Sequence, residues 1–387
     1  MGNTWIDDFV TYRAVFYSSK SIFFGKKNLA LKIYERLLAK EIYVATAFIL
    51  FAFLMLFGFF DLIHEMESIG RGGYKIQHAL GYVGLTLPGR LYELFPIGIL
   101  IGTLYALVTL ARHSEIAVLR SSGLSTLNFI NSLLRIGMVF VALIFLVGEF
   151  FVPFSEQAAQ QWKLQAKGTV VASEFRSGVW VKDETTFINV GEISPDASLN
   201  YLRIFEFDSQ FQLSSISEAR RGHFVAEGKW LLDGVVRTVF SGETARVERA
   251  DRMPWKSALN PDLLVVLMVE PDRMSLLNLT RYISHLSSNQ QKTERYEIAV
   301  WKKITYPLAA LVMMLLALPF AYLQDRMGVT SARIFAGLML GIGFHMLNGL
   351  FSNLGAINSW PPVLSALTPS LLFLFAAISM LWYVERR

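Results

Sequence analysis

The sequence predicts a polytopic α-helical membrane protein: six transmembrane helices, with an extracytoplasmic antiparallel β-jelly roll inserted between the third and the fourth. Hydrophobic residues make up 53% of the chain and charged residues only 17%, whereas soluble domains are about one quarter charged. Six apolar runs are each long enough, as helices, to cross a bilayer core of about 30 Å. Between the third and fourth runs, residues 174–256 alternate apolar and polar side chains.

The first three spans and their flanking charges set the predicted orientation. Lys32, Arg36 and Lys40 precede the first apolar run, so the positive-inside rule places the N-terminal side in the cytoplasm. A separate helical piece, from about Ile76 to Leu87, is expected to lead through Pro88-Gly89 into the second span. The three predicted spans are Ile42–Phe60, Leu91–Ala111 and Phe129–Phe151.

The loop between the second and third spans is short, polar and, in this orientation, cytoplasmic. Arg112, His113 and Arg120 are basic, Glu115 is acidic, and Ile116 belongs to a small apolar ridge. This pattern predicts a short amphipathic helix that lies along the lipid headgroups. Such a helix offers a handle to a soluble partner; the alternative is a connector with ordinary positive-inside charge.

After the third span the pattern changes from continuous apolar runs to short alternating ones. Tyr201–Phe207, and His223–Ala226 followed by Trp230–Leu232, are examples separated by turn residues. Period-two alternation with frequent turns predicts an antiparallel β-sandwich or jelly roll. Because three spans precede it, this domain is expected outside the cytoplasm. Leu263–Val269 is predicted as one more strand, and Ser275–Ser288 as a helix leading back to the bilayer.

Three more apolar runs complete the chain and place both termini in the cytoplasm. The connection Gln324–Arg333 and the tail Glu385–Arg387 are short and basic, as cytoplasmic segments are. The predicted spans are Ile304–Leu323, Ile334–Leu354 and Val363–Tyr383. The predicted domains are a cytoplasmic lead-in (1–40), spans one to three (41–155), the β-domain with its linkers (156–300) and spans four to six (301–387).

Composition and motifs exclude several kinds of function. The chain has no cysteine, which excludes disulfides, thiolate metal sites and a cysteine nucleophile. The net charge of +5 comes from bases at the ends of apolar runs, a distribution that suits anionic lipid headgroups and not nucleic acid. Neither a metalloprotease motif nor a nucleophile-elbow motif occurs. The sequence therefore gives no support to a protease or an esterase.

Charged residues near the outer ends of the first three spans are candidates for a substrate cavity. An ionised side chain in the middle of a bilayer costs about 2.5–3.5 kcal/mol. Charges within spans are therefore expected to face a cavity or one another. For each residue alone, a structural or headgroup role is an open alternative. The candidates are Asp61, Glu65, Arg71, Glu93, Glu149 and Lys163.

An ordered set of short motifs extends from the second span to the C terminus. The motifs are Leu110–Glu115 with Ser122-Gly123, Gly148-Glu149 with Pro153 and Glu156-Gln157, Gly178–Trp180, Trp301–Lys303 with Pro307 and Ala317-Leu318, and Pro361-Pro362 with Pro369. The order of these motifs around a β insertion is specific. The set resembles the YjgP/YjgQ-type permeases of the lipopolysaccharide exporter, the LptF/LptG family, and its LptG branch more than its LptF branch.

The resemblance implies a fold, a location and partners. It implies a multi-pass protein of the cell inner membrane with a periplasmic β-jelly roll, paired with LptF and seated on an LptB dimer. LptB would bind ATP and Mg²⁺ and hydrolyse the ATP, so this chain would be a non-catalytic subunit with no cofactor and no metal. LptC would receive the lipopolysaccharide. Glu115, between Arg112 and Arg120, would lie on the coupling helix. The alternatives are the LptF paralogue, or a membrane-anchored scaffold or signalling protein through which no lipid passes.

The resemblance implies basic residues that contact the phosphates of lipid A, and at several of those positions this sequence has a residue that is not basic. Among the bases considered, only Arg71 and Lys163 remain for that role. Phosphate contact could have moved to the LptF partner, divalent ions could bridge acids to phosphate, or the lipid could be less phosphorylated. The residues at the changed positions are Asp61, Glu67, Ser68 and Gln160.

Overall fold

A computed structural model of the chain confirms the predicted fold class. It describes residues 26–70, 73–167, 178–194, 198–208, 210–226, 228–241, 244–257, 270–289, 291–322 and 330–386. Six helices are long and apolar enough to cross a membrane, and an antiparallel sheet is inserted between the third and the fourth. These spans are Tyr34–Met66, Ile76–Arg112, Thr126–Lys163, Glu294–Phe320, Ala332–Ile357 and Pro362–Glu385.

The first two spans are longer than the apolar runs that predict them. Helix α1, Lys26–Met66, includes the basic lead-in. Helix α2, Ile76–Arg112, runs without a break, so the predicted interruption at Pro88-Gly89 is wrong. A proline inside a transmembrane helix is tolerated where packed neighbours compensate for the lost backbone hydrogen bond. Here Gly89 is buried, and the side chain of Arg273 lies close to its backbone.

Two glycines one turn apart bring α1 and α2 into close contact. A β-carbon placed on Gly102 would lie 2.7 Å from the backbone nitrogen of Thr46, and one placed on Gly98 would lie 2.7 Å from Cγ of Leu50. The spacing Gly-x-x-x-Gly is the one that lets transmembrane helices approach backbone to backbone. Spans one and two therefore form one packed unit.

The second and fourth spans are central, whereas the first and fifth are peripheral. The apolar window of the second span is 83% buried and that of the first only 17%. Phe48 on the first span and Met346 on the fifth are 72% and 68% exposed, so these faces are left for hydrocarbon or another subunit.

The last three spans contain four helices and one 3₁₀ turn. They comprise α7 (Glu294–Thr305), the 3₁₀ turn (Tyr306–Leu308), α8 (Ala309–Tyr322), α9 (Thr330–Ile357) and α10 (Pro362–Glu385).

The third span contains a π-helical turn and continues well past the predicted end at Phe151. Gly148 lies within that turn, and a β-carbon on it would lie 2.5 Å from the ring of Tyr92. Single π-helical turns inside α-helices are rare and are frequently found at functional sites. The short helix α3, Glu115–Ser121, precedes the third span. The third span comprises α4 (Thr126–Leu146), the π-helical turn (Val147–Phe151) and α5 (Val152–Lys167).

The β-domain is one six-stranded antiparallel sheet whose strands are neighbours in chain order. Ile188 pairs with Ile204, and Ile204 pairs with Ser217, so one face carries the buried apolar side chains. The predicted strand Leu263–Val269 lies outside the described residues. The strands are β1 (Val179–Asp183), β2 (Thr186–Ile193), β3 (Leu199–Phe207), β4 (Leu213–Ala226), β5 (Lys229–Ser241) and β6 (Thr244–Lys256).

A linker and one helix connect the β-domain to the fourth span. The linker contains a 3₁₀ turn, Pro271–Arg273. Helix α6, Leu276–Ser288, follows and matches the helix predicted at Ser275–Ser288. Ser275 is its N-cap, because its side chain accepts a hydrogen bond from the backbone N–H of Asn278 at 3.2 Å.

Candidate functional site: charged contacts at the two ends of the spans

Charged residues of spans one and two form a connected group at the end nearest the β-domain. Arg90 donates to both carboxylate oxygens of Asp61 at 2.7 Å, and its second terminal nitrogen lies 3.1 Å from Glu93. Two parallel hydrogen bonds between a guanidinium and a carboxylate are among the stronger charge-assisted contacts. The guanidinium of Arg90 therefore balances the negative charge of Asp61 and gives each of its carboxylate oxygens a hydrogen bond.

Arg273, from the linker after the β-domain, extends the group to the third span. Its two terminal nitrogens lie 3.0 Å from Glu93 and 3.0 Å from Glu156, and its side chain is only 16% exposed. Burial by itself lowers the pKa of Arg273, but the surrounding carboxylates outweigh burial and raise it above its ordinary value. Arg273 therefore stays charged and holds two spans to the linker.

Glu149 and two lysines fasten the rest of the linker. Glu149, on the π-helical turn, accepts from the backbone N–H of Leu276 at 3.0 and 3.1 Å, and thus binds the positive end of α6. Lys303 is buried, donates to the backbone carbonyl of Met274, and lies 3.7 Å from Glu149. Lys302 pairs with Asp272. These three residues and the two acids that bind Arg273 form one set of contacts around the linker. We call this set the outer socket: Glu93, Glu149, Glu156, Lys302 and Lys303.

Lys163 makes a separate contact at the same end of the bundle. Its Nζ lies 3.2 Å from the carboxylate of Glu65 and 4.6 Å from the ring centroid of Tyr82. The side chain of Glu65 is only 5% exposed and that of Lys163 is 18% exposed. An ammonium group has three donors, so the ion pair with Glu65 leaves Lys163 capable of further contacts.

The structure brings together most of the charged residues selected from the sequence, but in separate groups. Asp61 and Glu93 share Arg90, Glu149 binds α6, and Lys163 pairs with Glu65; Arg71 lies outside the described residues. Sequence reasoning missed the roles of three bases. Arg90, three residues before Glu93 on one helix, could have been found from its i,i+3 spacing. The other two are Arg273 and Lys303, which only the tertiary fold brings to these acids.

The short helix α3 lies at the opposite end of the spans. Ser114, its N-cap, adopts a left-handed conformation with φ of 59°, which turns the chain sharply out of α2. Ile116 is buried, Glu115 is half-buried, and Arg112 and Arg120 are exposed. Helix α3 thus keeps one apolar contact with the bundle while its charged residues lie at the surface.

An aromatic contact series connects α3 to three spans. The guanidinium of Arg120 lies 4.9 Å from the ring centroid of Tyr322, the residue at the end of α8. The centroids of Tyr322 and Phe129 are 6.5 Å apart, and those of Phe129 and Tyr34 are 6.0 Å apart. The guanidinium of Arg120 thus lies over the ring of Tyr322 in a cation–π contact.

These features define a class of protein: a multi-pass membrane protein, with a short helix at one end of its spans and a β-domain at the other. The chain belongs to the lipopolysaccharide export system permease LptF/LptG family, whose family model matches residues 36–383. It is similar to the lipopolysaccharide export system permease protein LptG of Haemophilus influenzae, with 30% identity over 354 residues, 91% of this chain and 98% of that protein. The LptG protein of Escherichia coli is 29% identical over 359 residues, covering 92% and 98%.

These comparisons bear on several predictions made from the sequence. The resemblance to the LptF/LptG family is confirmed, and the curated relatives carry the LptG name. Both relatives are named as permeases, which agrees with a subunit that is not an enzyme. Within the described residues, no group of three or more histidines and acids is arranged to hold a metal ion.

Proposed function

We propose that this chain is a permease subunit that extracts lipopolysaccharide from the outer leaflet of the inner membrane, driven by ATP that a partner ATPase hydrolyses. The observation that carries the proposal is the placement of α3 and the β-domain at opposite ends of the spans. Force applied to α3 in the cytoplasm would reach spans that open toward a β-domain in the periplasm. Both termini would lie in the cytoplasm.

The physical need for such a machine follows from the cost of exposing lipid chains to water. Moving an acyl chain of about twelve methylenes from hydrocarbon into water costs roughly 10 kcal/mol of free energy, at about 0.8 kcal/mol per CH₂. A lipid with several chains cannot leave the membrane without an energy source and a covered apolar path. The apolar face of the β-sheet would supply that path, and ATP the energy.

The exposed surfaces of the chain indicate where partners would bind. The uncovered apolar faces of the first and fifth spans suit an LptF paralogue and the lipid substrate between the two subunits. Helix α3, with Arg112, Glu115 and Arg120, would dock in a groove of an LptB dimer, which would bind ATP and Mg²⁺. LptC would receive the lipid from the β-domains. This chain itself would bind no cofactor.

Reconstitution tests the proposal directly. The chain, LptF, LptB and LptC are placed in liposomes with lipopolysaccharide, and its transfer to an added periplasmic acceptor is measured with and without ATP. We expect transfer only with ATP and only with hydrolysis-competent LptB. Equal transfer without ATP, or labelling that places residues 174–256 on the same side of the membrane as Glu115, would contradict the proposal.

We propose Lys163 as a phosphate contact in the substrate cavity, and predict that Lys163→Gln weakens binding of phosphorylated lipopolysaccharide at least about tenfold. A hydrogen bond between charged groups contributes about 1.5–3 kcal/mol, and 1.4 kcal/mol corresponds to about tenfold in affinity. Binding of dephosphorylated lipid should not change. The measurement is a titration of the purified complex with both lipids.

The matched control for Lys163 is Lys229→Gln, which removes an exposed lysine in the β-domain and should change neither affinity. If the wild-type complex binds both lipids equally, a site centred on phosphate is excluded. If Lys163→Gln keeps the full preference of the wild type, the phosphate contact belongs to the LptF partner or to bridging divalent ions.

A further inference from the structure

The far end of α6 is fastened to the β-domain. Asn289, the C-cap of α6, is buried, and its side-chain oxygen accepts a hydrogen bond from the backbone N–H of Glu184 at 2.7 Å. Its backbone carbonyl accepts from Nζ of Lys182 at 3.1 Å. Both donors belong to the end of β1 and the turn that follows it. Asn289 therefore joins α6 to the first hairpin of the sheet.

The near end of α6 is fastened to the bundle by the outer socket. Arg273 reaches Glu93 on the second span and Glu156 on the third, and Glu149 binds the first N–H of the helix. Removing one partner from a buried ion pair is strongly destabilising, because it leaves an uncompensated buried charge. The linker is therefore held in one position relative to three spans.

Helix α6 is supported between its two ends. Its 13 residues give a length of about 20 Å at 1.5 Å per residue. Tyr282 packs edge-on against Tyr296 of α7, with ring centroids 4.7 Å apart, and Leu279 packs in a small core with Ala299. A short helix that is packed along its side and fixed at both ends moves as one body.

We propose that α6 is a rigid strut that moves the β-domain together with the outer ends of spans two, three and four, with Arg273 and Asn289 as its positioning residues. The inference rests on the proposed transport function and names the part that carries motion from the spans to the β-domain. It also assigns Glu93 and Glu149 to holding the strut, because the linker already occupies their carboxylates.

The test uses the complete complex with LptF, LptB and LptC, and three variants: Arg273→Gln, Asn289→Ala and Arg281→Gln. Spin labels on the β-domain and on the second span report the distance between them. Separate assays record ATP hydrolysis and lipopolysaccharide release. We expect Arg273→Gln to broaden the distance distribution and to lower release per ATP about tenfold, within the range of coupling between sites. Asn289→Ala should lower release per ATP about threefold, as expected for the loss of one neutral hydrogen bond.

Arg281→Gln is the matched control, since Arg281 is an exposed arginine on the same helix; it should behave as the wild type. Arg273→Lys and Asn289→Asp, which keep the charge and the acceptor oxygen, should recover most of the release. Unchanged distances in both Arg273→Gln and Asn289→Ala would overturn the proposal, as would an equal loss of hydrolysis and release. The distance measurement needs no substrate, so it decides on the strut even if the wild type moves no lipopolysaccharide.

Discussion

Replacing Glu115 with lysine should stop lipopolysaccharide release while ATP hydrolysis continues. Glu115 begins α3, where a carboxylate also stabilises the positive end of the helix. In the proposed complex it would pair with a base in the ATPase groove. Truncating one member of a buried interfacial charge pair costs about 2–5 kcal/mol or more, and reversing the charge adds repulsion. We expect release per ATP to fall by at least about thirtyfold, measured in proteoliposomes.

Two further substitutions separate coupling from a general effect of charge. Asp251→Lys reverses an exposed acid in the β-domain and should leave release unchanged. Glu115→Ala should reduce release less than Glu115→Lys, because it removes the attraction without adding repulsion. Cells that depend on Glu115→Lys should lose surface lipopolysaccharide. Normal surface lipopolysaccharide in those cells would refute a coupling role for Glu115.

The spans could be predicted from sequence because hydropathy is a local property, but their ends could not. The third span was predicted to end at Phe151, where the apolar run stops. The helix continues to Lys167, and its last part, α5, is too polar to extend the apolar run. Likewise, Pro88 predicted a break in the second span, because a proline inside a helix removes one backbone hydrogen bond. Packing around Gly89, which no local pattern reveals, keeps the helix continuous.

The candidate site could be predicted only in part, for a related reason. Glu93 and Glu149 stand out as charges within apolar runs, and that pattern alone predicts that they face a cavity or a partner. Besides Arg90, which its i,i+3 spacing reveals, Glu93 pairs with Arg273, which lies 180 residues further along the chain. With one sequence and no structure, nothing connects the two. The same holds for Arg120 and Tyr322, whose contact depends on how the fourth span ends beside α3.

Gly102→Leu is predicted to break the packed contact between the first two spans. Most of the protein should then be unfolded. A β-carbon on Gly102 would lie 2.7 Å from backbone atoms of Thr46, far inside the usual contact distance of about 3.5–4.0 Å. Backbone cannot rotate away as a side chain can, so the helices must separate. Overpacking costs about 1–3 kcal/mol or more, and separation also loses the contacts around it.

Thermal unfolding of the purified chain in detergent measures the effect of Gly102→Leu, and Gly84→Leu is its matched control. Gly84 lies on the same helix with open space beside it, so leucine there should be neutral or slightly stabilising. The three atoms nearest to a β-carbon on Gly98 all belong to the side chain of Leu50. Leu50→Ala should therefore relieve the clash in Gly98→Ala, at the cost of one buried side chain. No equivalent change at Thr46 should fully rescue Gly102→Leu, because the obstacle there is backbone. Equal stability of the Gly102 and Gly84 variants would show that spans one and two do not pack through this face.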